Sequence, residues 1–178
     1  FDASFFGNIS RGEENLISFS NSFVNFPDHV WNLSPNSLIK ISNFDEVNFS
    51  NFSLSSGSQL IDVSVENSNS LKLFFDLKNV DLELINFLRK KDASRLAGLA
   101  DGTFWYSSVS KPVGGYLKVK DFSINDVLLG DLILNTQSNN KRKFLVLDGY
   151  VKPSKKSKTI EFNGTVSLDK KNLSLIHI

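Results

Sequence analysis

The feature that most constrains this chain is an alternation of apolar and polar residues that returns along its length. Ile61, Val63 and Val65 alternate with Asp62, Ser64 and Glu66. Leu71, Leu73, Phe75 and Leu77 alternate with Lys72, Phe74, Asp76 and Lys78. Leu117 and Val119 stand between Tyr116, Lys118 and Lys120, and Phe122 and Ile124 follow. Leu132 and Leu134 share one phase, as do Ile160, Phe162, Val166 and Leu168. Successive strand residues point to opposite sides, so each run presents one apolar and one polar face. A chain written this way is expected to be all-β: an elongated, curved sheet or solenoid-like groove.

Turn residues support that expectation. Ser56-Gly57-Ser58, Asn67 to Ser70, Asn125-Asp126, Ser138-Asn139-Asn140 and Pro153-Ser154 punctuate the runs as short connections would. The phase slips where Phe49 and Phe52, and Val119 and Phe122, stand three residues apart. Such a slip predicts a bulge that re-aims the strand and increases its twist. One segment departs from the alternation. Asp81 to Lys91 places Leu84, Ile85 and Leu88 on one helical face, with Asp81 as a cap and basic residues at the far end. A short amphipathic helix over about 81–91 is expected to cover an end or edge of the sheet.

Composition bounds the rest. The chain has 178 residues, 16 Phe and no Cys, with a formal net charge of +1. Absence of cysteine removes disulfides, thiolate metal sites and cysteine nucleophiles. The near-neutral balance does not point to nucleic acid. No run reaches the roughly 18 apolar residues of a membrane-spanning helix. The chain opens in mid-pattern at Phe1 and is expected to be an internal piece of something longer, with 1–172 as one β-rich segment. Residues 173–178, Leu-Ser-Leu-Ile-His-Ile, resemble read-through of a sequencing adapter and are set aside as a possible non-native tail, with one more alternating strand as the alternative.

Catalysis has no visible seat. His29 follows Pro27-Asp28, where a turn explains both polar residues, and His177 lies in the doubtful tail. The carboxylates are scattered beside turns, without calcium-loop spacing. Gly98 to Gly102 lacks the Lys-Ser/Thr ending of a phosphate loop, and Gly114-Gly115 lacks the strand–helix setting of a dinucleotide site. Lys141-Arg142-Lys143 and Lys155, Lys156 and Lys158 read as solvated hairpin tips, with a phosphate or lipid-headgroup contact as the alternative. The expectation is a protein that is not an enzyme and has no cofactor or metal.

Two stretches carry a family likeness. Leu96 to Phe104 and Lys111-Pro112-Val113-Gly114-Gly115-Tyr116-Leu117-Lys118-Val119-Lys120-Asp121-Phe122 lead into Leu129-Gly130-Asp131-Leu132-Ile133-Leu134. Trp31, Ile39-Lys40-Ile41 and Gln59-Leu60-Ile61-Asp62-Val63 form the second stretch. Together they resemble the TamB-like translocation and assembly proteins of the AsmA/TamB superfamily, in their Bacteroidetes form. Glu66 and Asn67 stand where that pattern usually has Gly.

The resemblance implies a periplasmic part of an inner-membrane-anchored protein that crosses the bacterial envelope. It further implies a taco-shaped β groove that conducts phospholipid acyl chains and supports outer-membrane protein assembly with a β-barrel partner. The groove would be lined by Ile61, Val63, Val65, Leu71, Leu73, Phe75, Leu77, Leu117, Val119, Phe122, Ile124, Leu132, Leu134, Ile160, Phe162 and Val166. Read from the residues alone, the same side chains are plain core of a closed sandwich. In an open groove, each methylene of an acyl chain buried on them contributes about 0.8 kcal/mol. Two other roles stay open: a chaperone-like scaffold pairing its edges with outer-membrane strands, and a β-rich adhesin or carbohydrate-binding module. The last needs aromatics along one outer face. Phe104, Trp105 and Tyr106 are adjacent and so point to alternate sides.

Overall fold

The computed structural model describes residues 2–12, 14–26, 29–42, 46–67, 71–87, 93–107, 113–139, 144–153 and 159–167. They form one antiparallel sheet of 13 strands and one short helix. The first strands are β1 (Asp2–Ser10), β2 (Asn15–Phe26), β3 (His29–Leu33), β4 (Leu38–Ser42), β5 (Glu46–Ser50) and β6 (Ser53–Ser56). Then come β7 (Gln59–Asn67), β8 (Leu71–Asp81), helix α1 (Glu83–Asn86), β9 (Leu96–Ser107) and β10 (Val113–Ile124). The chain closes on β11 (Val127–Asn139), β12 (Phe144–Lys152) and β13 (Ile160–Ser167).

The topology is a meander. β3 and β4 lie end to end along β2, and β5 and β6 lie end to end along them. Both interruptions keep ladder-like bonds: the Phe19 amide donates to Ser37 O and the Val63 amide to Phe52 O, each at 2.9 Å. The buried Ser37 hydroxyl ties the two breaks together, 2.8 Å from Ser34 O and 2.7 Å from Asn51 O. From β7 onward every strand pairs with the next. Local pairing of this kind needs only short connections, as the turn chemistry predicts. Gly57 (φ +58°) opens the turn between β6 and β7, and Asn125 and Asp126 (φ +48° and +64°) form a turn with two left-handed residues between β10 and β11.

The sheet is open. β13 pairs only with β12, and at the other end β5 and β1 pair only with β4 and β2, so the described strands form one sheet that does not close on itself rather than a two-layer sandwich.

Bulges bend the sheet where the phase slips. The register shifts between Val119 and Phe122, and Asp121 there has φ +54°. The same device recurs in β8, between Leu77 and Val80, with Asn79 at φ +53°. Each bulged amide is satisfied by a carboxylate on a neighbouring strand: Asn79 N–H donates to Asp101 Oδ1 at 3.0 Å, and Asp121 N–H to Asp131 Oδ1 at 3.2 Å. Gly98 (φ +129°) and Gly130 (φ +125°) sit beside these bulges in β9 and β11. A methyl group at Gly130 would stand 2.2 Å from Lys152 O, so glycine is needed there on both counts. The expected slip at Phe49 and Phe52 falls at the junction of β5 and β6, where Asn51 has φ +53°.

The helix is shorter than the 81–91 segment the pattern suggests, spanning Glu83–Asn86, while 88–92 lie outside the described residues. Asp81 does act on its start, its carboxylate accepting the Glu83 N–H at 2.9 Å. The residue it buries is Leu82, before the first turn, whereas Ile85 stays exposed. A four-residue helix cannot present a stripe, so one anchoring side chain replaces the expected amphipathic face. Asn86 then ties the helix to the start of β9, exchanging hydrogen bonds with the Leu96 backbone at 2.8 and 2.9 Å. Pro112, Lys141 to Lys143, Lys155 to Lys158, the 68–70 turn and the 173–178 tail lie outside the described residues.

Candidate functional site

Register assigns the predicted lining residues to one face. Ile61 stands opposite Leu77, Leu77 opposite Gly102, Gly102 opposite Leu117, Leu117 opposite Leu134, Leu134 opposite Gly149, and Gly149 opposite Phe162. The next row runs Val63, Phe75, Phe104, Gly115, Thr136, Leu147, Gly164. Beyond it Val65 pairs with Leu73, and Leu71 follows in the same phase. Toward the helix the row is Val80, Ala100, Val119, Leu132, Val151, Ile160. Phe122 joins this face through the bulge, and Ile124 packs against the same cluster. Val166 pairs with Leu145, which puts it in phase; its side chain is outside the described residues.

Face and burial are separate matters. The helix-end row is closed: Leu82, Ala100, Val119, Phe122, Leu132 and Val151 form one buried cluster. One row away, Leu77, Leu117, Leu134 and Phe162 are half-buried, and Phe75 is 37% exposed. Ile160 belongs to the closed row by register yet is 56% exposed, because β13 ends the sheet. Side chains lie across the strands here. A methyl group on Gly115 would meet the Phe104 ring at 2.5 Å, and one on Gly149 the Phe162 ring at 2.8 Å. Glycine in the strand thus makes room for a neighbour's ring to lie flat.

The apolar face continues into the first strands. Leu33 pairs with Leu54, which pairs with Ile61, and Trp31 follows in phase at 1% exposure. Rings of Phe5, Phe19, Phe52 and Phe49 meet edge-on in a chain at centroid distances of 6.4, 5.8 and 5.3 Å. Phe49 and Phe52 are three apart in sequence, but Phe5 and Phe19 reach them only through strand pairing, so the pattern alone does not show this chain of rings.

A hollow of about 1120 Å³ lies on the opposite face, over β9 to β12. Its side chains include Thr103, Trp105, Tyr116, Asn135, Gln137, Val146 and Asp148. These occupy the alternate phase, with Thr103 opposite Tyr116, Tyr116 opposite Asn135, and Asn135 opposite Asp148. The sequence did not show this hollow, since nothing in an alternating pattern says which way a sheet curves.

For chemistry, the described residues hold no group of three His, Asp or Glu placed to bind a metal ion. His29 opens β3 opposite Phe26, half-buried. No helix of the described residues is long and apolar enough to cross a membrane. Comparison with known proteins found no matching family model, no matching curated protein and no matching solved structure.

Proposed function

We propose that the apolar face of this sheet takes up phospholipid acyl chains, as part of a non-enzymatic protein of the bacterial envelope that moves lipid and supports outer-membrane assembly. The observation that carries the reading is half-burial. Leu73, Leu77, Leu117 and Leu134 share one face, and no second layer of described residues buries them fully. Apolar surface left in this state is stabilised by a partner that removes it from water, and acyl chains do so without needing hydrogen bonds. The likeness to TamB-like proteins supports the same partner and an inner-membrane-anchored, periplasmic setting.

The test is lipid retention. The purified chain is expected to carry phospholipid, and Phe75→Asp with Leu134→Asp is expected to strip it while far-UV circular dichroism stays unchanged. A chain that retains no lipid, or a double variant that retains as much as the parent, would sink the reading. A second reading rests on β1, which pairs with β2 on one side and exposes Phe5, Phe6 and Ile9. Such an edge is suited to adding a strand from an outer-membrane protein. A photocrosslinker at Ile9 distinguishes the two, capturing unfolded barrel protein rather than lipid if the edge is the working surface.

A further inference from the structure

The hollow lies on the face opposite the one proposed to take up acyl chains, and its chemistry is different. Trp105 lies over a glycine: a methyl group at Gly114 would stand 2.5 Å from the indole ring. The ring therefore rests flat on the strand instead of standing off it, and it remains half-exposed. Tyr116, one row along on the neighbouring strand, is 42% exposed and faces the same space. Around these rings stand the amides of Asn135 and Gln137 and the carboxylate of Asp148, whose side chains make no hydrogen bond or ion pair among the described residues. The Thr103 hydroxyl is held by Asp76 Oδ1 at 2.5 Å.

This set of groups selects a ligand class. An acyl chain would leave the amides and the carboxylate dry, at a cost no apolar contact there offsets. A phosphate, sulfate or uronic acid would meet Asp148 with no Lys or Arg in the lining to receive it. A neutral pyranose satisfies both halves of the site. Its axial C–H face stacks on a flat aromatic ring, while its hydroxyls both donate and accept, matching amides and a carboxylate. We infer that the Trp105–Tyr116 hollow is a binding site for a neutral oligosaccharide, separate from the apolar face and independent of the lipid reading. Its volume of about 1120 Å³ exceeds the several hundred Å³ of a small-molecule site, so it accommodates more than one sugar ring.

Intrinsic fluorescence provides the test. Of the two tryptophans, Trp31 is 1% exposed, so a ligand-induced change reports on Trp105. The chain is titrated with cellohexaose, chitohexaose and maltohexaose. At least one is expected to give a saturable change in Trp emission. With binding then read by calorimetry, Trp105→Ala is expected to weaken it by about tenfold or more. Gly114→Ala, which forces the indole off the strand, is expected to weaken it while leaving Trp105 in place. Gln137→Ala removes a rim amide far from the buried cluster, and serves as the independent variant should either of the others disturb folding. No saturable change with any of the three sugars overturns the proposal. So does binding that survives both Trp105→Ala and Gln137→Ala. Self-association of the chain that depends on Trp105, without sugar binding, would reassign the hollow to a second copy and likewise overturn it.

Discussion

The two ends of the same apolar face differ in burial although they are written in the same residues. At the helix end, Val119 and Ala100 are fully buried and Leu132 and Val151 nearly so. One row away on the same strands, Leu117 and Leu134 are half-buried. At the next row Phe75 is 37% exposed. Leucine occurs in each zone, so hydrophobicity alone does not separate them. What differs is cover: Leu82 and the segment leading into α1 fold back over the row at the bulges, and no described element does so farther along. One face therefore serves as core at one end and as an accessible surface along the rest.

The sharpest way to break this comparison is a charge. Val119→Asp is expected to cost more than about 4 kcal/mol, since a carboxylate would be buried without a partner. Leu134→Asp is expected to cost less than half of that, because the half-buried side chain can reach water. Urea unfolding midpoints of the two variants decide the matter, and equal losses would mean that both rows are core. Truncation gives the next largest contrast. Leu82→Ala is expected to lose about 3 kcal/mol, and Phe75→Ala under about 1.5 kcal/mol because little of a cavity forms. A smaller loss at Leu82 than at Phe75 would remove the anchoring role assigned to that residue.

Backbone substitutions sharpen the comparison at the crease. Gly130→Ala is expected to cost about 2 kcal/mol or more, through its left-handed φ and the Lys152 carbonyl behind it. Gly57 has φ +58°, in the left-handed helical region, with open space around it, and Gly57→Ala is expected to cost about 1 kcal/mol. Thermal midpoints would show the difference, and parity would mean that Gly130 tolerates local shifts. The smallest effect concerns Trp31, whose buried indole N–H has no hydrogen-bond partner among the described residues. Trp31→Phe removes that orphan donor while keeping an aromatic ring, so it is expected to change stability by less than about 1 kcal/mol. A large loss would show that the indole's extra volume, rather than its N–H, matters there.

Much of this architecture was legible in the residues, for a physical reason in each case. Alternation of Leu71, Leu73, Phe75 and Leu77 specifies a face because strand geometry has a period of two, and the register aligns them with Val65, Val63 and Ile61 as that requires. Asn125-Asp126 specified a turn because those residue types tolerate left-handed backbone. The Val119–Phe122 spacing specified a bulge because only an extra residue returns Phe122 to the apolar side. A short helix follows β8 as the pattern predicts, while residues 88–91 of the expected span lie outside the described residues. Leu84, Ile85 and Leu88 keep helical spacing, yet the described helix ends at Asn86 and buries Leu82 instead. Phe104 and Tyr106 flank Trp105 on its own strand and so point to the other side, while pairing with β10 brings Tyr116 to the face of Trp105.

Taken alone, the sequence determined the alternating strands, their faces, the Asn125-Asp126 turn and the bulge between Val119 and Phe122, since all of these follow from local geometry within a few residues. The tertiary structure decided which row of the apolar face is covered, that the sheet stays open, and that a hollow forms on the opposite side. Those outcomes depend on how twist and bend accumulate across many strands, a quantity that no single run of alternating residues contains.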